Sequence, residues 1–173
     1  MHSTEHVPFS ISTSSNAELF VFHEYWSYSK HYQAVFNAQA EVLPKAFSMD
    51  KPWGLIADWR KWLVQVPEAE RLCARSVGKF QAKGMTHYAA VCEDHPVAKW
   101  QCERIQQQNP GLHCDIFTSF DKAYDWFKQA GFDIDFELVP FDENWMQPSE
   151  IFEEVLRELN VSKKVFPSIF PEL

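Results

Sequence analysis

Trp53-Gly54-Leu55-Ile56-Ala57-Asp58-Trp59-Arg60-Lys61-Trp62 is the stretch whose reading decides the fold. Its apolar half, Trp53, Leu55, Ile56 and Ala57, is a short continuous run preceded by Asp50-Lys51-Pro52, as expected of a strand buried on both faces of a sheet. The run then breaks into Asp58, Trp59, Arg60, Lys61 and Trp62, so charge and aromatic surface gather where such a strand ends. In open α/β sheets that carboxyl edge is where ligands and partners bind. No reaction is written in these residues.

Upstream, residues 7–12 and 19–25 read as an antiparallel pair of strands joined at the polar cluster Thr13-Ser14-Ser15-Asn16. Ser29 then suits the cap of a helix in which Tyr32, Val35, Phe36, Gln39, Val42 and Leu43 form one mostly apolar face, and Pro44 is expected to kink or end it. Downstream, Pro67 suits the first turn of a second helix with Ala69, Leu72, Cys73, Ser76, Val77 and Phe80 inward and Gly84 as its cap. A strand over residues 87–92 leads to Glu93-Asp94-His95-Pro96, where Asp94 or His95 can cap a helix that closes at Asn109-Pro110-Gly111. A last strand over residues 112–117 precedes a helix capped by Thr118 or Ser119, with Phe120, Ala123, Tyr124 and Phe127 on one face. Strand and helix in alternation imply an α/β fold, a mostly parallel sheet with an antiparallel first strand and helices on its faces.

The chain of 173 residues suits one core, and an apolar share of 46% can fill it. The first basic residue is Lys30 and no apolar run reaches membrane-spanning length, so a cytoplasmic protein without a transmembrane segment is expected. The four cysteines, Cys73, Cys92, Cys102 and Cys114, are widely spaced and read as reduced thiols. The net charge of -8 argues against a nucleic-acid partner. Residues 1–132 hold 14 acidic and 13 basic side chains against 10 and 3 in residues 133–173, so the excess is concentrated in the tail. With Gly131 closing a helix just before it, that shift marks the expected division: an α/β domain over 1–132 and an acidic strand and amphipathic helix extension over 133–173.

The pattern LFVFHEYWSYSKHYQAVF, then WGLIADWR, then a strand ending in an acidic turn, then IFTSFDKAYDWFKQAGF resembles the bacterial SpoIIAA-like group of STAS domains, which are similar in turn to the lipid-binding CRAL-TRIO domain. The resemblance covers roughly residues 7–132. It implies a small sheet with helices, a non-enzymatic binding or regulatory role and no known cofactor. The chain departs from it at one point. STAS anti-sigma antagonists carry a phosphorylatable Ser followed by Gly just after the Asp that ends the central strand, whereas Asp58 here is followed by Trp59-Arg60-Lys61-Trp62. The phosphorylation switch is not carried over.

The chain has no Gly-x-Ser-x-Gly, no phosphate-cradling Gly-rich loop and no His-Glu-x-x-His. Cys92, His95 and Cys102 could gather as metal ligands, but without a Cys-x-x-Cys pair they read as two core thiols and a helix cap, and no metal is expected. The aromatic residues offer more. Trp26, Tyr28 and Tyr32 fall where the second strand passes into the first helix, and Trp59 and Trp62 follow the central strand, so parallel neighbours bring them to one edge. They either line a cleft or plug the sheet ends as core. Arg60 and Lys61 can give such a cleft a cationic rim, or stay solvated. Trp26, Tyr28, Tyr32, Trp59, Arg60, Trp62 and His95 are therefore the candidate ligand- or partner-binding residues, for a protein partner or an apolar, lipid-like small molecule.

On the second helix Arg71, Arg75, Lys79 and Lys83 recur every four residues as a basic stripe. Residues 133–138 alternate strictly between acidic and apolar, as a half-buried strand does, and a helix follows Pro148. The apolar end, Val165-Phe166-Pro167-Ser168-Ile169-Phe170-Pro171, needs cover, so the extension is expected to pack on its own domain or on the second subunit of a homodimer.

Overall fold

The computed structural model describes residues 9–23, 28–48, 51–61, 67–92 and 96–136. Expectations for Trp26, Trp62, His95 and the helix and apolar end of the tail fall outside these residues. By its contacts the chain divides into two units, Met1–Val139 and Pro140–Leu173, and all described residues belong to the first.

That unit is α/β. β1 (Phe9–Thr13) and β2 (Ala17–Phe22) form an antiparallel hairpin, followed by α1 (Tyr28–Ala46), β3 (Trp53–Asp58), α2 (Pro67–Ala82), β4 (Met85–Val91), α3 (Pro96–Gln107), β5 (His113–Phe117) and α4 (Phe120–Gln129). The five strands lie side by side in chain order, and β2 to β5 are parallel. β3 is the central strand, and each of its six residues is buried. Crossovers of one hand between neighbouring strands bring all the connecting helices to one face. One core cluster accordingly joins Leu43 of α1, Ala69, Ala74 and Val77 of α2, and Cys102 and Ile105 of α3 to Phe20, Leu55, Ala57 and Tyr88 of the sheet. The opposite cluster holds Leu19, Val21, Ile56, Ala89 and Val91 under α4, the one helix on that face among the described residues. Among the described residues no helix is long and apolar enough to cross a membrane, and all four cysteines are free.

Several boundaries differ from the sequence reading. α1 already includes Ser29, which is therefore not its cap, and it runs past Pro44 to Ala46. Phe47 N still donates to Leu43 O at 3.1 Å, and burial of Leu43 and Phe47 holds the last turn despite the lost proline donor. β4 starts two residues earlier than expected because a bulge interrupts its pairing between Trp53 and Gly54. Thr86 is the extra residue, so Met85 and Tyr88 point to the same face despite their odd spacing. Ser119 is the N-cap of α4, but its side chain makes no cap hydrogen bond.

The strand expected over residues 133–138 does not join the sheet in its described part, residues 133–136. The alternation has another use. Ile134 and Phe136 are half-buried against the α4 cluster, while Asp133 and Asp135 face solvent. Asp133 N donates to Asn16 Oδ1 at 2.8 Å and Ser15 Oγ to Asp133 Oδ2 at 3.1 Å, so the β1–β2 turn holds the segment by side chains rather than by a strand ladder.

Candidate functional site

The α4 face is closed. Phe120, Ala123, Tyr124 and Phe127 follow the three-and-four spacing of one helical stripe, and all are buried. The ring of Phe127 lies directly on Gly54, where a Cβ would overlap it. A glycine is thus what lets α4 approach the sheet.

The other face contains a cleft. Its floor is the sheet at Phe20, Phe22, Leu55 and Ala57, and its walls are α1 and α2. It is open to solvent and amounts to a cavity of about 100 Å³. Tyr32, Val35, Phe36 and Gln39 of α1 form one wall, and Ala69, Cys73, Ser76, Val77 and Phe80 of α2 the other. Tyr32 and Phe36 stack with centroids 6.3 Å apart, and Phe20 and Phe22 pack edge to face at 4.8 Å.

Two of the expected aromatic residues meet here, Tyr32 and Trp59. Trp59 N donates to Val91 O at 2.7 Å, which extends the β3 ladder by one residue and keeps the side chain on the three-helix face. The Tyr28 side chain lies outside the described residues, as do Trp26, Trp62 and His95. Arg60 and Lys61, read as a cationic rim or as solvated, are both buried and paired within the chain. Arg60 is buried against Asp58, with Nε to Oδ1 at 2.9 Å and a second guanidinium nitrogen to Oδ2 at 3.0 Å, and its Cζ lies 5.0 Å above the Phe120 ring of α4. Asp58 Oδ1 also accepts from Arg60 N at 3.0 Å, so the carboxylate shapes the turn after β3. Lys61 is buried too, and its Nζ donates to His23 O at 3.2 Å. Desolvation is the reason: a charge held under the sheet edge needs a partner within the chain.

The decisive polar groups are ones the sequence reading passed over. Glu18 is fully buried in β2, and Gln39 of α1 is 4% exposed on the cleft wall. Gln39 Nε2 donates to Glu18 Oε1 at 2.6 Å. The remaining oxygens, Glu18 Oε2 and Gln39 Oε1, have no partner among the described residues. Burial pushes the Glu18 carboxyl up to about 7, while the bond from Gln39 pulls the other way. The only sequence signal was one glutamine on an otherwise apolar helical face, and a glutamate beside a strand run, 21 positions apart.

The reactive groups of the cleft are muted. Burial, with Glu70 adding, pushes the Cys73 thiol up to about 12, so it stays protonated at neutral pH. Burial likewise holds the Tyr88 hydroxyl well above its ordinary range. Cys92 and Cys102 lie against one another in the same core cluster, where their mutual contact and then burial hold the Cys102 thiol well above its ordinary range. Among the described residues no three metal-ligating side chains gather. Compared with protein-family models, curated proteins and solved structures, the chain matches none of them.

Proposed function

We propose that this domain is a non-catalytic binding module of the STAS type, without a phosphorylation switch, and that it carries or senses a small apolar or lipid-like ligand in the cleft between α1 and α2. The observation that carries the reading is the cleft itself: an opening floored by phenylalanines and leucine, with an almost wholly apolar lining, on a face where closer packing would have been the ordinary outcome. The muted thiol of Cys73 and the carboxylate of Asp58, occupied by Arg60, support binding rather than turnover. The Asp58–Arg60 pair also occupies the turn at which a switch serine would stand in the resembled family.

A native mass spectrum of the freshly purified full chain, followed by titration with an apolar fluorescent probe, tests this reading. A co-purifying small molecule, or saturable probe binding that quenches tryptophan emission, is the expected result. A clean apo mass together with no saturable binding would sink it.

A second reading, contact with a protein partner, rests on α3. Val97 and Trp100, three residues apart on that helix, are 40% and 51% exposed, and Arg104 lies 4.7 Å over the Trp100 ring. Aromatic and arginine side chains so placed are common anchors of protein interfaces.

A further inference from the structure

We propose that Glu18 and Gln39 share one proton, donated by Glu18 Oε2 to Gln39 Oε1, and that this proton fastens α1 to the sheet and frees it on leaving. Gln39 Nε2 already donates to Glu18 Oε1 at 2.6 Å, so the amide and the carboxyl lie beside one another. Each keeps one further buried oxygen, Glu18 Oε2 and Gln39 Oε1, and neither has a partner among the described residues. As a carboxylate Glu18 can only accept, and the two oxygens stay unmatched. As an acid it carries one O–H. A carboxylic acid beside a primary amide closes a ring of two hydrogen bonds, which uses both orphaned oxygens.

No described group on the neighbouring elements takes the proton's place. On α1, Glu41 and Lys45 bond one another at 2.8 Å on the exposed side. On β3, Asp58 is held by Arg60. α2 brings Glu70, tied to Arg104 of α3 at 2.9 Å, and the protonated thiol of Cys73. β1 pairs Glu18 with the uncharged Thr13, and the Tyr88 hydroxyl of β4 stays protonated. Burial holds the Glu18 carboxyl up to about 7, so the proton is kept below neutral pH and lost above it. Its loss leaves a charge and an unmatched amide oxygen at the contact of β2 with α1, and opening of α1 to water relieves both. Because Gln39 stands in one wall of the cleft, that opening moves the wall whether or not a ligand is bound.

Two measurements on the full chain without ligand test this. Carbon-13 NMR of the Glu18 carboxyl, assigned through its own side chain, should show a neutral acid that titrates near 7; titration near the ordinary 4.5 overturns the proposal. Amide hydrogen exchange is then compared with Glu18→Gln, whose side-chain amide donates permanently where the proton did. Around Gln39 in α1, opening of the parent relative to the variant should rise about tenfold between about pH 6 and pH 8. That is the amount by which an open state titrating at 4.5 and a closed one at about 7 diverge over the interval. The same ratio in α4, on the opposite face, should stay constant. A ratio in α1 that does not change with pH, or an equal rise in α4, overturns the release of α1. The carboxyl titration gives its answer even if the variant does not fold. Since no ligand is present, neither failure touches the cleft reading.

Discussion

The two faces of the sheet solve the same packing problem in opposite ways. On one, a single helix lies so close that Phe127 needs a glycine beneath it. On the other, α1 and α2 leave a cleft, and a carboxyl is buried with a glutamine as its only hydrogen-bond partner among the described residues. The contrast separates two kinds of burial. The α4 face is apolar and complementary, and the buried pair Asp58 and Arg60 beside it is matched in both carboxylate oxygens. The three-helix face keeps unmatched polar atoms in a dry setting, an arrangement that costs stability.

The largest expected effect is on the matched pair. Arg60→Leu leaves the Asp58 carboxylate buried without its guanidinium and should cost about 3–5 kcal/mol in urea unfolding. A loss below about 1 kcal/mol would mean that Asp58 is hydrated, and the α4 face would lose its claim to full matching.

Next is the unmatched carboxyl. Glu18 in the folded chain titrates at about 7 against an ordinary 4.5, so the folded state holds the proton more tightly. The resulting penalty is absent below the ordinary value, grows as pH rises toward 7 and is complete above it. Glu18→Gln removes it. The variant should therefore gain roughly 2–3 kcal/mol over the parent protein between about pH 5 and pH 8, read as the difference between their stability curves. A pH-independent difference would show that Glu18 is ionised throughout and hydrated.

The smallest effects form a matched pair on one strand. Gly54 and Ala57 point to opposite faces of β3. Gly54→Ala, against the Phe127 ring, should cost about 1–3 kcal/mol through overpacking. Ala57→Val, which adds its methyls into the cleft, should change stability by less than about 1 kcal/mol yet weaken probe binding. Equal costs at the two positions would mean that the cleft closes around its lining in solution.

The sequence by itself determined the order of strands and helices, the central place of the Trp53–Asp58 strand and the inward stripe of α4. Each is set by local periodicity, and continuous or alternating apolar runs leave one way to bury them. It also located Tyr32 and Trp59 near one edge, since parallel neighbours end on the same side. Only the tertiary structure decided the rest. Whether Arg60 faces a ligand or its own neighbour depends on the turn that brings its side chain over Phe120. Residues 133–136 show the alternation of a strand, yet the turn side chains Ser15 and Asn16 capture them before they reach the sheet. The cleft is lined by side chains that meet across two helices and the sheet, a pairing that neither helix records alone. Glu18 and Gln39 each look like an isolated polar residue in an apolar run; the long-range approach of β2 and α1 makes them one buried pair, and desolvation gives that pair its altered chemistry.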